Sequence, residues 1–471
     1  MMSPFIILDC IFILLPFLVL GAGLLSTRYS NILANAGSAA LFFLYAGFSL
    51  CGFEDGKISA SLLTWSVNGL GILVRELLLL SFFLASVLSN SYNLRNKPEF
   101  LSAMLFVAVG GMLVVSANEL LSLFIGLELA TMPMYFLVAW NKLSSKGSEA
   151  ALKYVLMGSV ATATLLFGMG YLYGFAGSLA YADIASAMYN AGFLGTDLKL
   201  LLIAMTFIVM GVGFKLTLFP FHTWAPDVYE GAPTPITAYL SVTSKAVALV
   251  FLGVLVYGPL AEAGLVFRLI FSVLAMATIF IGNLGALKQS RLRRFMAYSS
   301  IAQAGYILIG LCGDARLGVS SFVYYLFLYA FSNYLMFFLI GIIGKNRMES
   351  FASLSGLSKQ NPLLAVLFAI SAFSLAGIPP LAGFIGKWMV FASAASVGNY
   401  ALVGFAAINS VIALYYYLQI VKAAWVNDID ENLPPVQIYV WQKISLAFLG
   451  IAVLFFGIAP WLHSYIFKMA L

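Results

Sequence analysis

Gly211-Val-Gly-Phe-Lys-Leu-Thr-Leu-Phe-Pro220 places a lysine inside an apolar stretch and closes that stretch with a proline. Proline has no backbone N–H and crowds the carbonyl four residues earlier, so Pro220 leaves the Leu216 carbonyl free beside Lys215. The combination recurs in Ser374-Leu-Ala-Gly-Ile-Pro-Pro-Leu-Ala-Gly-Phe-Ile-Gly-Lys387, where Pro379 and Pro380 free the carbonyls of Leu375 and Ala376. Two apolar helices are therefore expected to break, each next to a lysine. An isolated ammonium at membrane depth costs about 2.5–3.5 kcal/mol on insertion scales, and such residues mark ion pathways by default.

The chain around these runs belongs in lipid. Of its 471 residues 62% are hydrophobic and 9% charged, and the mean hydropathy is +1.01, whereas soluble domains carry about 25% charged residues. Apolar stretches near the length of a spanning helix start at fourteen places, near residues 5, 32, 69, 101, 119, 151, 199, 236, 265, 297, 318, 363, 399 and 441. The expected fold is an all-α polytopic membrane protein of about fourteen transmembrane helices, forming a single domain over 1–471. The twelfth stretch, about 363–396, is too long for one straight crossing and holds both prolines of the second run.

Basic residues test this layout, because cytoplasmic loops accumulate Lys and Arg. Fourteen of the 24 fall in odd-numbered loops, with Lys288, Arg291, Arg293 and Arg294 the densest group. The other side holds six, namely Lys57, Arg75, Lys199, Arg268, Arg316 and Lys468; Lys153, Lys215, Lys245 and Lys387 remain within apolar stretches. Both termini are thus expected on the non-cytoplasmic side of the membrane. The first stretch, Phe5 to Leu25, is longer than a signal-peptide core and reads as retained. The net charge of +6 follows from the loop asymmetry and calls for no nucleic acid.

Several chemistries lack their residues. Cys10, Cys51 and Cys312 have no paired spacing and read as packing thiols. The two histidines, His222 and His463, fall at a loop and near the last helix end, so haem ligation within a bundle is not expected. Gly386 and Lys387 are followed by Trp388 where a phosphate loop needs Ser or Thr. No cofactor is expected in this chain.

Lys215 and Lys387 are 172 residues apart, five helices in this layout, and an odd number inverts the second copy. Interrupted helices at corresponding places are the mark of inverted repeats around a transport path. The expected halves are 119–258, with a preceding helix from 101, and 265–425, with helices seven and twelve broken. The same offset carries Glu128 to Ser300, Lys153 to Tyr325 and Lys245 to Tyr417, so only the lysine beside the break is duplicated. Lys245 lies nine residues into its stretch, about 14 Å along a helix, too deep to reach the interface comfortably. Glu128 is nine residues into its own stretch and could face a lysine either as a proton-holding partner or as a static ion pair. Lys153 has Glu149 four residues earlier, so a surface salt bridge competes with a buried role. His222, Trp224, Asp227 and Glu230 read as a turn and contact surface, and Tyr415, Tyr416 and Tyr417 as an aromatic patch whose hydroxyls need partners.

Phe219-Pro-Phe-His-Thr-Trp-Ala-Pro-Asp-Val-Tyr-Glu-Gly-Ala-Pro-Thr-Pro235, followed by Ser241-Val-Thr-Ser-Lys245, resembles the signature loop and eighth helix of the antiporter-like membrane subunits of proton-pumping NADH:quinone oxidoreductase, respiratory complex I, in its subunit N branch. Gly126-Leu-Glu-Leu129, Gly282-Asn-Leu-Gly-Ala-Leu287, Ala297-Tyr-Ser-Ser-Ile-Ala-Gln303 and Ser374 through Lys387 extend the resemblance over essentially the whole chain. It implies fourteen helices with two inverted five-helix repeats. It also implies a proton path through Glu128, Lys153, Lys215, Lys245 and Lys387. NADH, flavin, iron–sulfur clusters and quinone would then reside in partner subunits, and the adjacent subunit M and small subunit K would be neighbours. The alternative is a component of a multi-subunit cation/proton antiporter, with similar broken helices and no redox partner.

Overall fold

The structure is a computed structural model that describes residues 4–53, 60–62, 65–92, 94–191, 195–428, 433–459 and 461–469. Among these residues, twelve helices are long and apolar enough to cross a membrane, and the chain is a multi-pass all-α protein. The only strands among them are Ala60–Leu62 and Trp65–Val67, a small antiparallel hairpin that the apolar periodicity did not foreshadow. The helices start where the local chemistry permits. The side chains of Asn68, Ser144, Asp314 and Asn361 accept from otherwise unpaired N–H groups of the following turn. Pro98, Pro235 and Pro362 occupy first-turn positions, where no N–H is missed.

The chain divides into two compact units. The first comprises Met1–Trp224, Gly231–Ile270 and Met469–Leu471. Close helix packing within it depends on small residues, which let backbones approach where lipid supplies no hydrophobic drive between helices. A Cβ on Gly110 would lie 2.2 Å from the Ala130 nitrogen, so the Lys97–Ser116 helix presses directly on Leu120–Val138, the helix that carries Glu128. A Cβ on Gly211 would lie 2.7 Å from the Ala161 carbonyl oxygen, which seats Gly195–Lys215 against Ser145–Ala176.

The same unit contains a buried ion pair that revises the loop assignment of Arg75. That residue lies within the helix Gly69–Ser89, fully buried, and its Nη2 is 2.7 Å from Oδ2 of Asp9 on the first helix. Arg75 also donates from Nε to Asp9 Oδ1 and from Nη2 to Ser116, while Tyr45 and Trp65 donate to the same carboxylate. Five segments thus converge on one charge pair. Sequence reading placed Arg75 outside the bilayer because a charge near a stretch boundary looks like a loop residue; its partner lies 66 residues away. Lys57, assigned to the same side, lies outside the described residues.

The second unit comprises Ala225–Glu230 and Phe271–Lys468. The helix Ala315–Asn346 runs through its interior, with the apolar window of that span entirely buried. Around it stand Leu292–Leu308, Pro362–Ala376, Ala382–Ser396 and Val440–Ile458. The basic group at the head of Leu292–Leu308 is neutralised locally: Arg294 pairs with Asp227 at 2.9 Å and with Glu230 at 3.1 Å, Arg291 pairs with Glu230, and Arg293 with Glu349. Burial pushes the Glu349 carboxyl above the usual carboxylate range, against the opposing pull of Arg293. Cys312 is buried, but Cys10 is exposed on the outside of the first helix, so it is not the packing thiol its apolar surroundings implied.

Candidate functional site: buried charges at two broken helices

The first break is complete. Gly195–Lys215 ends at Lys215, residues 216–224 form turns, and helix resumes at Ala225–Gly231. Lys215 therefore sits in the last turn of a helix, where unpaired carbonyls and the negative end of the dipole favour a cation. Its Nζ is 2.8 Å from Glu128 Oε1 and 2.8 Å from Thr131 Oγ1, and only 4% of the lysine is exposed. Glu128 also accepts from Thr162 at 3.0 Å. The carboxylate is thus held by two neighbours, and a proton could move between its oxygen and the amine without either side chain changing place.

An indole fixes the end of this helix. Trp224 Nε1 donates to the Phe214 carbonyl at 2.9 Å, and its ring stacks on Tyr154 at 4.6 Å. Tyr154, Thr131, Ser244 and Lys215 help line a small cavity with about 10 Å³ open to the centre of a water molecule. A single water needs about that much space. Lys245, adjacent to Ser244 in the helix Thr234–Tyr257, is 1% exposed, as its depth in the stretch implied.

Lys153 differs from the other lysines. Its side chain is 41% exposed on Ser145–Ala176 and pairs with Glu149 at 2.7 Å, the local salt bridge that the four-residue spacing allowed. The structure brings Glu128 and Lys215 into contact and leaves Lys153 on an outer face.

In the second unit Pro362–Ala376 stops at Gly377, whose φ of +91° is the left-handed conformation that ends helices. The chain turns through Pro379 and Pro380 and resumes at Ala382–Ser396. Lys387 reaches back from the resumed helix to donate to the Ala376 carbonyl at 2.7 Å, the last carbonyl of the interrupted one. Ser410 Oγ lies 3.1 Å from the same Nζ, and the Tyr306 ring centroid is 4.4 Å away. Among the described residues no carboxylate lies within ion-pair distance of Lys387. One lysine faces an acid; the other faces backbone dipoles and an aromatic ring.

Hydroxyls occupy the second unit at the positions 172 residues beyond Glu128, Lys153 and Lys245. Ser300 contacts the hydroxyls of Tyr229 at 3.1 Å and Tyr329 at 3.0 Å. Tyr417 meets Ser299 at 2.5 Å, and Tyr325 donates to Gln303. Tyr416 donates to Asn283 at 3.0 Å, whereas Tyr415 is exposed, so the tyrosine triplet is only partly a packing patch. Sequence reading missed Thr131, Thr162 and Ser410, because a lone hydroxyl on an apolar helix carries no signal of what it faces. Asp9 was legible in principle: an acid in one apolar stretch calls for a base in another. His222 stands half-buried beside Phe219, with ring centroids 5.8 Å apart, while Asp227 and Glu230 take the contact role that their loop implied. The described residues contain no group of three or more His, Cys, Asp or Glu able to hold a metal.

Broken apolar helices with lysines at the breaks and a buried carboxylate define an ion-translocating membrane protein of the antiporter-like class. Residues 117–413 match the family described as NADH:quinone oxidoreductase/Mrp antiporter, TM, and the chain belongs to it. The NADH-quinone oxidoreductase subunit N of Azobacteroides pseudotrichonymphae is 39% identical over 385 residues, 80% of this chain and 78% of the relative. A chain of respiratory complex I from Thermus thermophilus superposes with a TM-score of 0.81 at 29% identity, covering 97% of this chain and 98% of that one. A chain of the Mrp complex from Dietzia sp. shares the fold, with a TM-score of 0.82 at 20% identity over 98% and 97% of the two chains.

Proposed function

We propose that this chain is a proton-translocating membrane-arm subunit of NADH:quinone oxidoreductase, of the subunit N type, and that protons pass through Glu128, Lys153, Lys215, Lys245 and Lys387. The observation that carries the reading is the 2.8 Å contact between buried Lys215 and Glu128 at the end of an interrupted helix. A buried carboxylate beside an amine has two protonation arrangements of the same total charge, and a nearby change of charge selects between them. Moving charge along Lys245 and Lys387 would propagate that selection. Thr162 donates to the carboxylate and Thr131 accepts from the amine, which lowers the cost of holding the pair at depth.

Redox chemistry belongs to partner subunits holding NADH, flavin, iron–sulfur clusters and quinone, and this chain contributes no redox centre. Subunits M and K are its neighbours, and the exposed face carrying Lys153 is available to such a neighbour. The chain crosses a bacterial inner membrane fourteen times, with both termini on the non-cytoplasmic side, and the interrupted helices are the seventh and twelfth of the fourteen, one in each of two inverted five-helix repeats.

The test is Lys215→Met in the assembled complex, with NADH oxidation and proton translocation measured in the same vesicles. Loss of translocation with assembly intact is expected. Normal translocation per NADH oxidised would remove Lys215 from the path.

A further inference from the structure

Gln303 is 1% exposed on the helix Leu292–Leu308, and its amide bonds one side of the second break and a tyrosine that packs on the other. Nε2 donates to the Leu375 carbonyl at 2.8 Å, one of the two carbonyls left free at the end of Pro362–Ala376. The neighbouring carbonyl, that of Ala376, is the acceptor of Lys387. Oε1 accepts from the hydroxyl of Tyr325, and the Tyr325 ring abuts Gly386, where a Cβ would lie 2.3 Å from Cδ2. Gly386 precedes Lys387. One amide thus holds the acceptor half of the break directly and the lysine-bearing half through a tyrosine. The opposite amide orientation would set oxygen against the Leu375 oxygen, so the polarity of the bonds is fixed.

The offset between the two lysines gives this position a counterpart. The residue 172 before Gln303 is Thr131, whose Oγ1 lies 2.8 Å from Lys215 Nζ. In each unit this position serves the lysine of the break, by direct contact in the first and through the adjacent peptide in the second.

We propose that Gln303 is a positioning residue for proton translocation: it fixes the Leu375–Ala376 peptide so that the Ala376 oxygen stays aimed at the Lys387 amine. An amide is suited to this because it donates and accepts at once and carries the same charge whether Lys387 holds a proton or has released it. A carboxylate could not donate to Leu375, and an apolar residue would leave that carbonyl and the Tyr325 hydroxyl buried without partners. The inference rests on Lys387 being part of the proton path.

The experiment compares Gln303→Met, Gln303→His, Tyr325→Phe and Lys387→Met in the whole complex, at matched assembly, by proton translocation per NADH oxidised. Methionine keeps the volume without the hydrogen bonds, and is expected to lower translocation several-fold. Histidine can donate from one nitrogen and accept at the other, and is expected to restore most of it, which a pure packing role would not predict. Tyr325→Phe should fall in the same direction by less. Wild-type translocation in Gln303→Met, or failure of Gln303→His to improve on it, would overturn the proposal while a crippled Lys387→Met leaves the path itself standing. If Gln303→Met does not assemble, Tyr325→Phe decides: lowered translocation supports the assignment, and unchanged translocation overturns it. Normal translocation in Lys387→Met would instead remove the reading on which the proposal stands.

Discussion

Lys215 and Glu128 lie 87 residues apart in the chain and 2.8 Å apart in the fold, both buried. Removing one member leaves the other as an uncompensated charge, whereas removing both leaves neither. The pair is thus an electrostatic unit whose members cannot be varied independently.

Glu128→Gln and Lys215→Met should each lower proton translocation several-fold in assembled complexes, and the double variant should be no worse than the poorer single. Residues in contact are non-additive in this way. Translocation and NADH oxidation in sealed vesicles check it, and strictly multiplicative losses would show that the two act separately.

Asp9→Asn should lower the thermal stability of the detergent-solubilised chain strongly, because Arg75 would keep its buried charge without an ionised partner. Breaking a buried pair costs about 3–5 kcal/mol, while replacing both partners by neutral groups is often close to neutral. The combination Asp9→Asn with Arg75→Met should therefore melt above Asp9→Asn alone.

Lys153→Met should leave stability nearly unchanged, since an exposed i,i+4 pair with Glu149 contributes about 0–1 kcal/mol. If Lys153 belongs to the proton path, its loss lowers translocation while Glu149→Gln does not. Equal effects of the two substitutions would assign the pair to the helix surface.

Trp224→Phe removes the indole N–H from the Phe214 carbonyl while keeping an aromatic ring over Tyr154. Because Phe214 precedes Lys215, the expected result is reduced translocation with assembly preserved. Unchanged translocation would show that stacking alone positions the helix end.

Glu349 supplies a pH test with a definite sign. Its folded pKa is raised, chiefly by burial, with Glu230 adding to the shift and Arg293 opposing it. A carboxyl with a raised folded pKa contributes stability that is complete below its unfolded value and is lost as pH climbs through the folded one. Melting measured across that interval should fall with pH in the wild type, and the Glu349→Gln variant should fall less.

Much of the fold was legible because a bilayer imposes few solutions: apolar runs of sufficient length must be helices, and lysines within them are too costly to be incidental. Gly211–Pro220 and Ser374–Lys387 disclosed both interruptions for the same reason, since proline and glycine act locally on the backbone. The site was only half legible. Lys215, Lys245 and Lys387 announce themselves as charges in apolar surroundings, but Arg75, equally buried, reads as a loop residue because its partner Asp9 lies on another helix. Thr131 and Ser410 give no sign, and Gln303 stands only as the end of a family-like run, since a neutral polar side chain acquires its meaning only from what it faces.

By itself the chain determined a multi-pass helical protein, the two places where helices stop, and which side chains carry charge inside apolar segments. These follow from composition, hydropathy and the missing N–H of proline, all of which are properties of residues and their near neighbours. Only the tertiary structure decided that Lys215 meets Glu128, that Lys387 meets the Ala376 carbonyl, that Lys153 faces outward, and that Gln303 bonds the Leu375 carbonyl and Tyr325. Those facts depend on helix rotation and close packing between segments distant in sequence, where a turn of one residue on a helix moves a side chain to another face.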